Sequence, residues 1–293
     1  NRPWHTEQTV EALKKNELAS ESDLFIFSDG PKVENDENVK KVREYIRSVR
    51  GFKSITIFEK DKNQGLANSI ISGVTEIINK YGKVIVLEDD IVTSTRFLQF
   101  MNEALDKYEG DKKIFSVSGY NVPMKCPAEY DKDVFLSYRY SSWGWATWID
   151  RWEEADWSVQ GWEEVFLDKG VNKKFQRGGE DLHYIFKAQM NGTLNSWAIR
   201  WYYSHFRKER FTVFPVKSLV ENIGFDGSGV HCGNAKNAPN KPVMSEDVKL
   251  KLPEKIEFDK KMNELFATHF RYGLKDKIRR FLKELIGYKI RKQ

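Results

Sequence analysis

The apolar residues in the first 121 positions follow two alternating patterns. Four short runs, "DLFIF", "SITIF", "KVIVL" and "KIFSV", are rich in β-branched and aromatic residues, which is typical of buried strands. Between the second and third runs, apolar residues recur at helical spacing and stop before Gly82, a suitable residue for a helix C-terminus. Strands that alternate with helices predict right-handed crossovers, and therefore an α/β fold with a mostly parallel sheet flanked by helices.

Two more helices are predicted in this half. One runs through "HTEQTVEALKK", with Thr6 as its N-cap and with Val10 and Leu13 on one face. The other carries an apolar stripe between residues 97 and 105.

The pattern changes from about residue 122. "SSWGWATWIDRW" places tryptophans at helical spacing, "GGEDLHYIF" predicts a helix from near Glu180 to Gly192, and "TLNSWAIRWYYSHF" is typical of a strand. No linker-like composition separates the two parts. We therefore expect one domain over residues 1–265, made of a regular half (1–121) and an irregular half (122–265), followed by a basic amphipathic helix over 266–293.

The net charge of +5 is not spread evenly along the chain. Residues 271–293 contain nine Lys or Arg and two acids, so the rest of the chain is nearly neutral. That balance gives no support to nucleic-acid binding by the domain. Two cysteines do not make a disulfide framework, which favours a reducing, cytoplasmic compartment. No apolar stretch approaches the ~20 residues of a transmembrane helix.

Three acids follow directly on one of the apolar runs. In "YGKVIVLEDDIVTS", the run ends in Glu88, Asp89 and Asp90, and Asp29 ends another predicted strand. In α/β sheets ligands gather at the carboxyl ends of the strands. Carboxylate oxygens there suit Mg²⁺ or Mn²⁺, which also coordinates substrate phosphates. The alternative is that these acids only cap the following helix.

Several segments together resemble the GT-A fold glycosyltransferases. "VIVLEDDIVTSTRFLQFMNEALDKY" is similar to their metal-binding strand and helix, and the E-D-D form is closest to the N-acetylglucosaminyltransferase I-like group. "NRPWHTEQTVEAL", "FIFSDGP", "NQGLANSI", "FSVSGYN" and "SSWGWATW" resemble further stretches of that group in the same order, over roughly residues 1–205. The group has a short apolar strand ahead of the stretch that "NRP" resembles, which this sequence does not include.

The resemblance implies roles for residues of the first half, which would bind the nucleotide. Asp90 would ligate the metal, Asp89 would approach the donor, and Glu88 would support it. Nucleotide contacts would come from Asp29, Asn63, Gly65 and Arg2. A turn-forming role for Asp29, and a simple loop and helix start for Asn63 and Gly65, are the alternatives.

The second half would supply the catalytic and acceptor-binding residues. An acid at the start of a helix beyond the Trp-rich stretch is implied as general base, which makes Asp181 the first candidate and Glu180 the second. The alternative is an acidic first turn that complements the helix dipole. In "NIGFDGSGVHCGN", His231 would ligate the metal or a phosphate, unless the segment is only a surface loop.

Two tryptophans suggest contacts with an acceptor sugar, and the basic tail suggests contact with a membrane surface. Trp143 and Trp145, beside Gly144, would stack on an acceptor sugar, whereas Trp148 and Trp152 are expected in the core. The basic amphipathic tail is typical of a helix on an anionic membrane surface, although a helix docked on the domain is the alternative.

The resulting expectation is a metal-dependent, inverting hexosyl- or N-acetylhexosaminyl-transferase of polysaccharide biosynthesis. It would use Mn²⁺ or Mg²⁺, take a nucleotide-diphosphate sugar, with UDP favoured, and act on a saccharide or lipid-linked acceptor. It would be cytoplasmic and peripheral at the inner face of the membrane. A non-catalytic carbohydrate-binding protein is one alternative. A nucleotidyltransferase is a second alternative. Such an enzyme is expected to have a glycine-rich, basic phosphate-binding loop near the N-terminus, and the sequence contains no such loop there.

Overall fold

A computed structural model of the protein describes residues 1–229 and 249–273. Within them lie ten helices: α1 (Pro3–Lys14), α2 (Glu37–Ser48), α3 (Leu66–Tyr81), α4 (Phe97–Tyr108), α5 (Ile149–Glu153), α6 (Glu164–Leu167), α7 (Lys169–Phe175), α8 (Asp181–Met190), α9 (Trp197–Arg207) and α10 (Lys260–Thr268). The same residues form nine strands: β1 (Asp23–Ser28), β2 (Ser54–Glu59), β3 (Lys83–Val86), β4 (Ile91–Thr93), β5 (Ile114–Ser118), β6 (Val134–Ser137), β7 (Trp145–Trp148), β8 (Phe211–Pro215) and β9 (Val220–Asn222).

The central sheet is mixed. Its five strands lie in the order β3-β7-β5-β8-β6, and β5–β8 is the parallel pair among them. β1 and β2 form a separate parallel pair, and β4 and β9 an antiparallel one. The expectation of a mostly parallel sheet is therefore wrong for the central sheet. Parallel neighbours need a long crossover, whereas β6 and β7 are reached through loops (119–133 and 138–144) that contain no helix.

Local signals set several element boundaries as predicted. α3 ends at Gly82, whose φ of 77° is left-handed and whose N–H donates to the Ile78 carbonyl at 2.7 Å. α8 begins at Asp181. α1 instead begins at Pro3, which suits the first helical position, so Thr6 is not its N-cap.

Two aromatic segments differ from their predictions. "TLNSWAIRWYYSHF" contains helix α9 rather than a strand, with Trp197, Trp201 and His205 buried at a spacing of four residues. Conversely, the tryptophans at 145 and 148 belong to strand β7, and α5 begins only at Ile149. Aromatic residues favour strands on average, but packing against neighbouring elements overrides that preference.

Two apolar clusters occupy the two faces of the central sheet. Alternate positions of β7 show this, because Trp145 joins one cluster and Ala146 the other. α3 and α9 cover the first cluster, while α4 and α10 cover the second. The sheet is thus flanked by helices on both faces, as the sequence predicts.

The expected boundary between domain and C-terminal helix falls inside α10. Phe266 of α10 is fully buried against Phe135 and Phe214 of the sheet, so residues up to at least 268 belong to the domain. The rest of the predicted amphipathic tail (274–293) lies outside the described residues. Within the described ranges, no helix combines the length and the apolarity required to cross a membrane.

Candidate functional site

The acid cluster, Glu88 to Asp90, connects β3 to β4 and is held from two sides. The Thr9 hydroxyl of α1 donates to the Asp89 carbonyl at 2.9 Å. The Ile223 N–H, just after β9, donates to the Asp90 carbonyl at 2.9 Å. The cluster therefore lies where the N-terminal helix and the β4–β9 pair meet the end of β3.

One arginine binds two of the three acids. Arg2 donates from Nε and Nη2 to the two oxygens of Asp89, the first at 3.0 Å, and from Nη1 to Asp90 Oδ2 at 3.0 Å. The paired acids are 87 and 88 positions away in sequence. A bidentate pair of this kind fixes the orientation of the Asp89 carboxylate.

Asp90 keeps one oxygen without a partner. Its side chain is 5% exposed, and Oδ1 has no hydrogen-bond partner among the described residues. Gly224 packs against the other oxygen, since a Cβ there would lie 2.1 Å from Oδ2. Burial raises the pKa of the Asp90 carboxyl, although the charge on Arg2 opposes that shift. A buried, unpaired carboxylate oxygen is costly unless a cation or donor meets it.

Glu88 is partly exposed, but the atoms packed around its carboxyl group shield that group from water. Burial, followed by the charges on Asp90 and Asp89, raises the pKa of the Glu88 carboxyl to about 8. At neutral pH this raised pKa favours the protonated form of Glu88, which reduces the negative charge of the cluster beside Arg2.

The described residues offer a divalent cation one carboxylate oxygen, so such a cation would take most of its ligands from a substrate. Among residues 1–229 and 249–273, no group of three or more His, Cys, Asp or Glu side chains could hold a metal ion. Asp90 Oδ1 is the oxygen left for one, and Mg²⁺ is typically bound through one or two carboxylates together with phosphates and waters. The expected second ligand, His231, lies outside the described residues.

Three of the residues predicted to contact the nucleotide, Asp29, Asn63 and Gly65, belong to a hydrogen-bonded loop junction at the end of β1. Asp29 accepts hydrogen bonds from the N–H groups of Gly30, Gln64 and Gly65 at 2.9 to 3.1 Å. Asn63 Nδ2 donates to the Gly30 carbonyl at 2.9 Å. Asp29 and Asn63 thus hold the loop before α3 against β1, which matches the turn alternative; nucleotide contact stays a prediction.

The two tryptophans assigned to the acceptor have different surroundings. Trp145 is fully buried and packs against Trp197, so it is a core residue and not an acceptor contact. Trp143 is partly exposed and lies between Tyr120 and Phe225. Phe225 follows Gly224 in sequence, so Trp143 packs against the loop that also meets Asp90. Trp148 and Trp152 are buried, as expected.

Asp181 is ion-paired at the start of α8. Both of its oxygens accept hydrogen bonds from Arg139, at 2.8 Å each. Its N–H donates to the Phe270 carbonyl at 3.3 Å. Glu180, the second candidate base, is partly buried and precedes the helix. Asp181 is paired with Arg139 and the acid cluster with Arg2, so the two candidate parts of the site have different cationic partners.

Three important residues escaped the sequence analysis. Arg139 occurs in "SYRYSS", where nothing marks it as the partner of Asp181. Gly224 and Phe225 belong to a glycine-rich loop that was noted, but the contact with Asp90 depends on the pairing of β9 with β4.

Comparisons with known proteins supply no further assignment. No family model matches this chain, and no curated protein is significantly similar to it. The acid cluster and Asp181 are therefore the features from which a function can be inferred.

Proposed function

We propose that this protein is a metal-dependent glycosyltransferase of the GT-A type. It transfers a sugar from a nucleotide-diphosphate sugar to a hydroxyl group of a saccharide or lipid-linked acceptor, with inversion at the anomeric carbon. The observation that carries the proposal is the buried Oδ1 of Asp90, which has no hydrogen-bond partner among residues 1–229 and 249–273 and lies beside the Arg2–Asp89 pair at the end of β3.

The first half of the site binds the donor. Asp90 Oδ1 would hold Mn²⁺ or Mg²⁺, which when bound neutralises charge on the diphosphate leaving group. Arg2 balances the acids, so that an anionic donor does not meet two uncompensated carboxylates. Glycine at position 224 lets the backbone pack directly against Asp90, because any side chain at this position would overlap the carboxylate.

The second half of the site acts on the acceptor. Asp181 accepts the proton of the acceptor hydroxyl as its oxygen bonds to the anomeric carbon. The bond between that carbon and the diphosphate oxygen breaks, and the nucleoside diphosphate leaves with the electron pair. Trp143 offers a partly exposed ring for stacking on a sugar.

Donor binding is tested by thermal melting with UDP, GDP and CDP, each with and without Mn²⁺. A ligand at a hundredfold its Kd stabilises the fold by about 2.7 kcal/mol, so one nucleotide should raise the Tm by ~5 °C or more when metal is present. Asp90→Asn should abolish the metal-dependent part. Asp106→Asn is the matched control, because Asp106 is an exposed acid paired with Lys83.

The proposal fails if no nucleotide shifts the Tm in the presence of metal. It also fails if Asp90→Asn and Asp106→Asn respond to metal and nucleotide as the wild type does.

A further inference from the structure

Arg139 makes more contacts with the start of α8 than a surface ion pair requires. Nη1 and Nη2 each donate to one oxygen of Asp181, and Nη1 also donates to the Gly178 carbonyl at 3.2 Å. The side chains of Arg139 and Asp181 are 13% and 14% exposed. A parallel fork of this type allows a single relative orientation of the two planar groups.

One face of the Arg139 guanidinium packs against an aromatic ring. Its central carbon lies 3.4 Å from the ring centroid of Phe270, which is a stacked cation–π contact. The carbonyl of the same Phe270 accepts the Asp181 N–H. The segment after α10 therefore holds both members of the pair, and neither can turn without breaking contacts made by the other.

Two glycines bring the backbone close to the pair and keep side chains away from it. At Gly178 a Cβ would lie 2.8 Å from the Arg139 nitrogen of the main chain. At Gly179, where φ is 142°, a Cβ would lie 2.6 Å from Asp181 Oδ1 and 2.7 Å from Arg139 Nη1. A carboxylate has about four acceptor positions, and Arg139 uses two. None of the described residues donates to the remaining positions.

We infer that Arg139 is a positioning residue: it fixes the carboxylate of Asp181 in the orientation that receives the acceptor proton. This inference rests on the proposed function, because it gives Asp181 the role of general base. Arg139 itself contacts no reacting atom and acts through Asp181.

The experiment measures kcat for sugar transfer and the Kd of the donor nucleotide. Asp181→Asn should lower kcat by about 10²- to 10⁴-fold, the range for loss of a general base. Arg139→Gln should lower kcat at least tenfold with the nucleotide Kd unchanged, since Arg139 donates to Asp181 and Gly178 whereas the acid cluster is bound by Arg2. Arg139→Lys keeps the charge but not the fork, so its kcat should fall between those of Arg139→Gln and the wild type. If Arg139→Gln does not fold, Arg139→Lys tests the inference in its place.

Arg177→Gln is the matched control. Arg177 also stacks on a ring, that of Tyr138 at 3.8 Å, but its nearest carboxylate is Glu209 at 3.9 Å. It should leave kcat within about twofold of the wild type, whereas a general loss of structure would lower both arginine variants alike.

The double variant Arg139→Gln/Asp181→Asn separates positioning from a structural role. If Arg139 acts through Asp181, the double variant has the kcat of Asp181→Asn alone, because coupled residues are not additive. The inference is overturned if the loss of kcat in the double variant equals the product of the two single-variant losses. It is also overturned if either Arg139→Gln or Asp181→Asn leaves kcat unchanged while the wild type transfers sugar. A wild type with neither transfer nor metal-dependent nucleotide binding overturns the proposed function, and the inference with it.

Discussion

The carboxyl groups of Asp89 and Asp90 share a single arginine, and this sharing decides what each of them can do. Both oxygens of Asp89 are used by Arg2, which leaves that residue a fixed support. Asp90 gives one oxygen to Arg2, and its other oxygen is buried without a hydrogen-bond partner in the part of the chain that the structure describes. Of the two, Asp90 is therefore the one that gains most from a bound cation.

Replacement of Gly224 by alanine tests how tightly this carboxylate is packed. The added Cβ would lie 2.1 Å from Asp90 Oδ2 and 3.0 Å from Arg2 Nη1, so the ion pair must shift. We expect a loss of about 1–3 kcal/mol in the free energy of unfolding, measured in urea, together with loss of the metal-dependent Tm shift. Gly110→Ala, where a Cβ meets nothing within 4 Å, is the control. Equal stability of the two variants would contradict the packing argument.

His205 is predicted to make the fold sensitive to mild acid. It is fully buried against Phe115 and Trp201, and neither ring nitrogen has a hydrogen-bond partner among the described residues. Burial, with the positive charge of Arg210 second, lowers the pKa of His205 well below the ordinary 6.5. The unfolded chain binds the proton below pH 6.5 and the folded chain does not. Stability is therefore complete above that pH and falls as the pH drops below it.

The size of this effect follows from the proton linkage. Between pH 7.5 and 5.5 the wild type should lose about 1.4 kcal/mol more than His205→Phe, in urea unfolding at both values. The comparison removes the contribution of the other titrating groups. Equal pH dependence in the two proteins would show that His205 is protonated in the folded state.

At the scale of elements, the sequence predicts what short-range patterns determine. β1, β2, β3 and β5, and the end of α3 at Gly82, follow from runs and spacings that lie within about 16 residues. α9 and β7 do not, because their aromatic residues suit either element and burial decides between them. The pairs of Arg2 with Asp89 and of Arg139 with Asp181 join residues 87 and 42 positions apart. No local pattern could therefore reveal them, although the acids themselves stand out.

One buried polar side chain of α10, that of Asn263, binds three groups outside the helix. Asn263 accepts from Ser137 Oγ at 2.9 Å and from the Tyr138 N–H at 3.2 Å, and it donates to the Arg177 carbonyl at 3.1 Å. Removal of such a residue leaves its partners unsatisfied, at a cost of about 1–3 kcal/mol for each buried group.

Asn263→Ala should therefore lower the free energy of unfolding by about 3 kcal/mol in urea titration. Asn102→Ala is the matched control, because Asn102 bonds only to the Leu98 carbonyl of its own helix α4. Its expected loss is within about 0.5 kcal/mol. Similar losses in both variants would mean that the three bonds of Asn263 do not secure α10.

At the scale of the whole molecule, the two halves defined by the sequence share one sheet. β3 and β5 come from residues 1–121, and they pair with β7 and β8 from the second half. β7 lies between β3 and β5, so a division at residue 121 separates each of those strands from its partner. Both apolar clusters also contain residues of both halves.

A fragment of residues 1–121 should therefore not fold alone. It keeps α1 to α4 and the β1–β2 pair, but it exposes the fully buried Phe115 and Val117 of β5 and the edge of β3 that pairs with β7. We expect no cooperative transition by circular dichroism and rapid cleavage by protease, whereas the full chain should unfold in one transition that circular dichroism and Trp fluorescence report alike. A cooperatively folded fragment would show that the parallel β1–β2 pair and its helices form an independent domain.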